Sequence, residues 1–412
     1  MDGSANTPCV SGFAVFVQKL RIATTGETAH DKMTLDTPKP SALATALRRT
    51  VALLAIAGMA FLLASGCSAP DASDKRSAKE YQLLWPEPPN EARFEYEAQL
   101  RSEANIRPET DDGRTRKILT GKGSVSEDLA YRKPAALAAR GGRIYVADPP
   151  TGSVVVFDAA RQRMFRMGIR EPNNVIKPIS IAIDNKNFVY VLDGKLRRVM
   201  VYDSLGLFQF AVGDPKALTQ PSGVAVSDDG KKIFIVDRGS IDADDHKVIA
   251  YSPDNLELFR IGPRGSAPGA LNIPLAAITT RDGRLAVLDS GNFRVQIFDL
   301  NGRYQSHFGS VGNGYGQFSR PRSIASDQDG NLYVSDASFN NVQIFTPTGE
   351  LLMWIGGPGM ENYPGKFGLI AAIAADETGR LYIADHYHLK VEVYKRADGT
   401  PGGKPSGMPS AQ

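Results

Sequence analysis

One short motif, an apolar run that ends in aspartate, recurs six times in this 412-residue chain and constrains the fold more than any other feature. The copies end at Asp148, Asp193, Asp237, Asp289, Asp336 and Asp385. Successive aspartates are 45, 44, 52, 47 and 49 residues apart. A period in this range indicates a repeat architecture, in which a single unit cannot bury its apolar face without a neighbour.

Each repeat holds four short strands. In the fifth repeat these are SIAS (323–326), LYVSD (332–336), VQIFT (342–346) and a strand that ends in MWIG (353–356). Turn signals such as DDG, RDG, NG and PTG separate the strands of the repeats. Four short strands joined by tight turns predict an antiparallel meander, and a period near 45 residues is typical of a propeller blade.

The two ends of the repeat array complement each other. The sixth repeat stops after its third strand, at Tyr394, whereas an unassigned strand, ARFEYEAQL (92–100), precedes the first repeat. Its alternation predicts that Phe94, Tyr96 and Ala98 share one face. We therefore predict an all-β fold: a six-bladed β-propeller of four-stranded antiparallel blades, closed by an N-terminal strand, which leaves no open sheet edge in the ring.

The chain divides into five parts by composition. They are an upstream extension with a signal peptide (1–66), a linker (67–80) that would be lipid-anchored if the lipobox resemblance of residues 63–67 holds, the closing strand and connector (81–130), six blades (131–395) and a disordered tail (396–412). Residues 51–64 are apolar without a break and follow Arg48 and Arg49. This run is shorter than the ~20 residues of a membrane span and fits a signal-peptide core. A start at Met33 would give a leader of more usual length.

The segment Leu63-Ala64-Ser65-Gly66-Cys67 resembles the lipobox of bacterial lipoproteins. The resemblance implies cleavage before Cys67 and acylation of that residue, and Ser68 implies sorting to the outer membrane, facing the periplasm. The alternative is an ordinary cleaved signal next to a chance cysteine. Cys9 and Cys67 are the two cysteines of the chain, so the mature domain would have no disulfide in an oxidising compartment.

Charge argues against nucleic acid as a partner. The first 67 residues hold six of the 48 bases and four of the 45 acids, which leaves 42 bases against 41 acids in the mature chain. Such a balance lacks the electrostatic footprint of a nucleic-acid-binding protein. We expect a monomer with no nucleic-acid partner.

The repeats also resemble a known family. The segments LAVLDSGNFRVQIF (285–298), LYVSDASFNNVQIF (332–345) and RLYIADHYHLKVEVY (380–394) are similar to the NHL repeat, and the similarity covers about 134–395. WPEPPNEARFEYEAQL (85–100) resembles the leader of bacterial lipoproteins of this propeller group. The resemblance implies an NHL-repeat six-bladed propeller of the bacterial lipoprotein type.

Long loops point to a binding face. Loops between the second and third strands, and between blades, are longer than the other turns, and up-and-down connectivity puts both long classes on one face. The predicted ligand-binding residues on that face are Arg197, Arg238, His246, Arg294, His386 and Tyr387. Arginines with aromatic residues are typical of binding surfaces, and the bases suit an anionic or peptide-carboxylate ligand. The alternative is a set of solvated loop charges.

Metal binding is a weaker prediction. His386 and His388 form an H-x-H pair, and His246 occupies the corresponding loop of the third repeat, so these three are the metal candidates. Zinc needs three or four ligands, and the alternative is that the histidines are variant letters of a repeat loop. The acidic run Asp242–Asp245 is a second candidate, for calcium, against the alternative of a solvated loop. We predict no cofactor and leave zinc and calcium open.

These observations favour an envelope-anchored NHL-type lipoprotein that acts as a scaffold for a protein or peptide partner through its long-loop face. The chain lacks a nucleophile elbow, a P-loop and an HExxH motif, which favours a non-enzymatic role without deciding it. The alternative function is a metal-dependent propeller enzyme similar to the peptidyl-hydroxyglycine amidating lyases or the lactonases.

Overall fold

The computed structural model describes residues 83–108, 110–120 and 128–397. The predicted signal peptide, the lipidated cysteine, the linker and all but the first two residues of the predicted tail lie outside these ranges. Within them, the molecule is built almost wholly from short antiparallel strands. No helix of the described ranges is long and apolar enough to cross a membrane.

Two strands and two helical segments precede the first blade. They are β1 (Leu84–Trp85), β2 (Phe94–Leu100), a 3-10 turn (Glu103–Asn105) and helix α1 (Asp111–Thr120). The ten-residue helix lies in the segment that the sequence analysis assigned to the connector.

Each of the six repeats forms one four-stranded antiparallel sheet, which confirms the predicted blades. Blade 1 comprises β3 (Ala136–Arg140), β4 (Arg143–Asp148), β5 (Ser153–Asp158) and β6 (Arg163–Met167). Blade 2 comprises β7 (Pro178–Ile183), β8 (Val189–Asp193), β9 (Arg198–Tyr202) and β10 (Phe208–Val212). Blade 3 comprises β11 (Pro221–Val226), β12 (Ile233–Asp237), β13 (Lys247–Tyr251) and β14 (Glu257–Ile261).

The remaining blades follow the same order. Blade 4 comprises β15 (Pro274–Thr279), β16 (Arg284–Asp289), β17 (Arg294–Asp299) and β18 (Tyr304–Phe308). Blade 5 comprises β19 (Pro321–Ser326), β20 (Leu332–Asp336), β21 (Asn341–Phe345) and β22 (Leu351–Ile355), and a small parallel pair follows, β23 (Gly357–Pro358) with β24 (Lys366–Phe367). Blade 6 takes β25 (Ile370–Ala375), β26 (Leu381–Asp385) and β27 (Lys390–Arg396) from its own repeat. Short 3-10 turns at Pro149–Thr151 and Ser290–Asn292 link the second and third strands of blades 1 and 4.

Burial explains why the second strand of each repeat reads as an unbroken apolar run. Strands β8, β12, β20 and β26 are buried at every residue, because both faces of each sheet pack against neighbouring blades. The outer strands are more exposed, and β14 is buried only at its last residue. Six apolar clusters fill the six blade-to-blade interfaces, so the core is a ring of equivalent layers.

The N-terminal strand closes the ring, as the sequence predicted. Strand β2 pairs antiparallel with β27, from Phe94 opposite Arg396 to Leu100 opposite Val391, and so supplies the missing fourth strand of blade 6. An ion pair between Arg380 and Glu97, 2.6 Å long, ties the closing strand to β26. Strand β1 then adds a fifth strand outside β2, which the sequence did not predict.

One detail of the closing strand differs from the prediction. The register shifts between Tyr96 and Ala98, so the simple alternation is interrupted. Phe94 and Tyr96 therefore pack towards blade 5, whereas Ala98 and Leu100 pack in the cluster between blades 6 and 1. The predicted shared face of Phe94, Tyr96 and Ala98 is wrong, because a bulge turns the second half of the strand over.

The connectivity gives the ring two different faces. The hairpins between first and second strands, and between third and fourth strands, lie on one face, here called the hairpin face. The loops between second and third strands and the blade-to-blade connections lie on the other, the long-loop face. The first strands of the blades, β3, β7, β11, β15, β19 and β25, contact one another around a central channel of about 850 Å³.

Candidate functional site

The repeat aspartates organise the long-loop end of the channel. Asp193 is fully buried, and its carboxylate accepts hydrogen bonds from the backbone N–H groups of Lys177 (2.9 Å) and Lys195 (2.7 Å). Asp336 does the same for Arg320 (2.9 Å) and Ser338 (2.8 Å). Each aspartate thus fastens the residue before the inner strand to the loop after the second strand. This agrees with a scaffold role for the repeat aspartates.

Three positions of every blade surround the opening of the channel on the long-loop face, here called the long-loop mouth. The residues before the inner strands are Lys133, Lys177, Gln220, Ile273, Arg320 and Leu369. The residues after the repeat aspartates are Pro149, Gly194, Arg238, Ser290, Ala337 and His386. The residues two places after the first set are Ala135, Ile179, Ser222, Leu275, Arg322 and Ala371, and all of this third set line the channel.

Main-chain hydrogen bonds join the first two sets. The N–H groups of Arg238 and His386 donate to the carbonyl oxygens of Gln220 (3.2 Å) and Leu369 (3.0 Å), respectively. The Ala337 N–H donates to Arg320 in the same way, at 3.0 Å. The backbone of the mouth is therefore fixed, and the side chains project from a rigid frame.

The mouth carries an excess of positive charge. Its cations are Lys133, Lys177, Arg238, Arg320 and Arg322, and none of the mouth positions is acidic. Among the residues that the structure describes, none of these five side chains forms a hydrogen bond or an ion pair. Four of the five are exposed, and Arg322 is half-buried in the channel wall. Cations held together without acids on a fixed frame are suited to an anionic ligand.

The electrostatics of two residues reflect this arrangement. Burial lowers the pKa of the Arg322 guanidinium from its usual value, and the nearby cations Arg320 and Arg238 lower it further. Burial also lowers the pKa of His386, followed by the charges of Lys133 and Arg322. His386 is therefore neutral at pH 7. The cations of blades 3 and 5 act on one another across the mouth, and those of blades 1 and 5 act on His386.

The predicted site residues fall into two groups. Arg238 and His386 stand at the mouth, and Tyr387 lies beside them, exposed, with its ring packed over Gly368. Arg197 is exposed, has a left-handed backbone conformation, and donates from Nη1 to the carbonyl of Leu218 at 3.0 Å.

Arg294 and His246 do not present their side chains to solvent. Arg294 is buried and donates to Asp289 Oδ2 (2.8 Å) and to the carbonyl of Ala267 (3.0 Å). His246 is buried as well, and its Nδ1 accepts the N–H of Ile273 at 3.1 Å. Both side chains hold the connection between blades 3 and 4.

The metal candidates are separate and largely engaged. His246 Nε2 lies 3.0 Å from the carbonyl oxygen of Ser240, and His388 Nε2 lies 3.0 Å from that of Gly359. In the acidic run, the Asp245 carboxylate accepts the N–H of Ser240 at 2.8 Å. Across residues 83–108, 110–120 and 128–397, no three side chains of histidine, cysteine, aspartate or glutamate group together as metal ligands.

Four cations of the site were absent from the predicted set: Lys133, Lys177, Arg320 and Arg322. Their sequence signal is the proline that recurs at the start of the inner strands, as in Lys133-Pro134, Lys177-Pro178 and Arg320-Pro321-Arg322. Proline restricts the residue before it to extended conformations, so it marks the place where each of these inner strands begins. Five of the six repeats carry this proline, and Ile370 takes its place in the sixth, so reading outward from this position identifies the mouth residues.

Comparison with known proteins agrees with the fold. No family model matches the chain. Protein brain tumor of Drosophila melanogaster is 26% identical over 137 residues, which are 32% of this chain and 12% of that protein. NHL repeat-containing protein 3 of Homo sapiens is 34% identical over 87 residues, 21% of this chain and 24% of that protein. The chain thus spans less than a quarter of either relative.

A solved structure shows the same architecture. A structural genomics protein of unknown function from Bacteroides thetaiotaomicron superposes with a TM-score of 0.53 and 16% sequence identity. The superposition covers 73% of this chain and 76% of that one. At this identity the likeness concerns the fold alone.

Proposed function

We propose that this chain, an NHL-type six-bladed β-propeller, is a scaffold that binds an acidic segment of a protein or peptide partner at its long-loop mouth. The observation that carries the proposal is the set of five mouth cations with no acidic or hydrogen-bonding partner among the described residues. The partner would supply the carboxylates that the mouth itself lacks.

The free-energy cost of unpaired cations supports this proposal. Unpaired cations that repel one another lower the stability of the folded chain, and a half-buried one such as Arg322 also loses hydration. Elsewhere in the molecule the buried bases are paired, as Lys390 is with Glu392 at 2.6 Å. The simplest explanation for the unpaired cations at the mouth, in a chain that pairs its buried bases elsewhere, is that they bind a ligand.

We also propose that the propeller works from the cell envelope, lipid-anchored at Cys67 and facing the periplasm from the outer membrane. This part rests on the resemblance of Leu63–Cys67 to a lipobox, which lies outside the described residues. The test is membrane fractionation of a Gram-negative host that expresses the full chain or its Cys67→Ser variant. The parent chain should sediment with the membranes and incorporate labelled fatty acid, and the variant should do neither. Equal fractionation of the two would contradict the anchor.

Binding is tested with a defined probe. A fluorescein-labelled hexaglutamate with an amidated C-terminus is titrated with the full chain, and its anisotropy is compared with that of the matched hexaglutamine. We expect saturable binding of the acidic peptide alone. The double variant Lys177→Gln/Arg238→Gln should weaken it by roughly 10- to 100-fold, at about 1 kcal/mol or more for each charge-assisted contact.

A matched variant at the opposite end of the channel serves as the control. Arg281 lies among the residues around the hairpin end of the channel, and Arg281→Gln removes the same charge there. It should leave the affinity for hexaglutamate within about twofold of the parent value, because the opposite mouth is beyond a Debye length of solvent screening. Equal losses in the double variant and in the control, or equal binding of hexaglutamine, would sink the assignment of the mouth.

A further inference from the structure

The cations of the mouth stand at two depths. Arg320 and Arg322 flank Pro321 at the start of β19, where the pairing with β20 shifts register. Arg320 is exposed at the rim, as are Lys133 and Lys177 at the same position of their blades. Arg322 lies two residues further in, where it is half-buried and lines the channel. It is the one charged member of its set of six.

The next ring of the channel wall is apolar. The positions two residues deeper than the Arg322 set are Leu137, Ile181, Val224, Ala277, Ile324 and Ile373, all of them channel-lining. Arg322 is therefore the innermost of the five cations of the long-loop mouth. Arg238 and Arg320 stand close enough to Arg322 to act on its charge, so the three guanidinium groups surround one entrance.

The depth of each cation in the channel determines which kind of anionic group can reach it. A peptide that lies across the rim can bring its acidic side chains to Lys133, Lys177 and Arg320. The recessed Arg322 is best reached by a group that enters end-on. Guanidinium and carboxylate groups match in a two-bond fork, and the capture of a chain-terminal carboxylate is a known mode of peptide recognition.

We infer that Arg322 is the subsite for the C-terminal carboxylate of an acidic chain end, with Arg238 and Arg320 binding acidic side chains next to it. The inference rests on the proposed function, because it assumes that acidic peptides bind at this mouth. It adds that the partner is read from its end: the chain enters carboxylate first, and its last residues lie within the mouth.

The experiment uses two labelled peptides of one sequence that end in three glutamates, one with a free C-terminal carboxylate and one with an amide. Each is titrated by anisotropy against the full parent chain, Arg322→Gln, Arg322→Lys and Arg281→Gln. The parent chain and Arg281→Gln should bind the free acid roughly tenfold more tightly than the amide. Arg322→Gln should bind both peptides equally, at the affinity of the amide, and Arg322→Lys should retain part of the preference because it keeps the charge without the fork.

The outcomes separate this inference from the proposed function. If neither peptide binds the parent chain, the proposed function fails and the inference fails with it. If both bind equally, or if Arg322→Gln weakens both by the same factor, acidic peptides bind at the mouth but the end-on subsite is wrong. Inorganic phosphate is the competitor in a final arm: displacement of the free-acid peptide by phosphate at the concentration of the peptide itself would make Arg322 a site for small anions and overturn the inference.

Discussion

The two ends of the central channel are built by the same repeat but treat charge in opposite ways. On the hairpin face, Asp327 accepts the N–H groups of Asp329 and Asn331 (both 2.9 Å) and the hydroxyl of Tyr333 (2.8 Å). Asp376 makes the equivalent bond to the Tyr382 hydroxyl at 2.7 Å. The acids of this end close their own turns, and Arg281 there donates a hydrogen bond to Gln328.

At the long-loop mouth the repeat aspartates are buried beneath the surface and hold backbone N–H groups, while the side chains above them are cations without acids. Asp336, for example, fastens Arg320 through its backbone and leaves the guanidinium free of partners within the described residues. The difference teaches that a buried acidic residue can serve as scaffold at either end of the channel. Only the positions that vary between blades distinguish a structural end from a binding end.

The largest expected effect tests the two kinds of aspartate directly. Asp336→Asn and Asp327→Asn each place an amide N–H₂ against backbone donors, and each should lower the free energy of unfolding by about 3 kcal/mol. Urea denaturation followed by tryptophan fluorescence measures this loss. Only Asp336→Asn should also weaken the binding of the acidic peptide, because it removes the hydrogen bond that holds the backbone of Arg320. If Asp327→Asn weakens binding as much, the two mouths are not functionally distinct.

A smaller effect, of opposite sign, is expected from the cations. Arg322→Gln removes a half-buried charge that other arginines repel, and it should raise the free energy of unfolding by about 0.5–1 kcal/mol while reducing binding. Arg281→Gln at the hairpin end should change stability by less than about 0.5 kcal/mol, since the side chain is exposed. Urea denaturation of both variants against the parent chain measures the difference. A loss of stability in Arg322→Gln would show that Arg322 is a structural residue.

The ring could be predicted well from the sequence because every repeat carries the same pattern of strands. Each blade needs one fully buried strand, so the apolar run before every aspartate stands out without any alignment. Closure followed from the missing strand in the sixth repeat. The bulge between Tyr96 and Ala98 and the added strand β1 did not follow, because both depend on how the closing strand meets blade 6, a contact between distant parts of the chain.

The site was harder to predict because exposure depends on how the connections fold. Arg294 and His246 lie at the ends of the connections between second and third strands, and the connection between blades 3 and 4 folds over both side chains. Lys133, Lys177 and Arg322 stand at the start of inner strands, where loop composition gives no signal. Their position next to the strand-initiating proline places them at the mouth, but this can be deduced only when the channel is known to run along these strands.

The smallest expected effect concerns pH and the single histidine of the mouth. His386 is surrounded by Lys133 and Arg322, which oppose its protonation, and by Asp385, which favours it, but burial is the largest cause of its lowered pKa. The unfolded chain, with an ordinary histidine pKa near 6.5, therefore takes up a proton at a higher pH than the folded chain does. The free energy of unfolding should fall as the pH drops below about 6.5, and this part of the loss should be absent in His386→Gln. Urea denaturation of the parent chain and the variant at about pH 7.5 and about pH 5.5 measures the difference. If the free energy of unfolding depends on pH in the same way in both proteins, the mouth cations do not act on His386. The long-loop mouth would then differ less from the hairpin mouth than we propose.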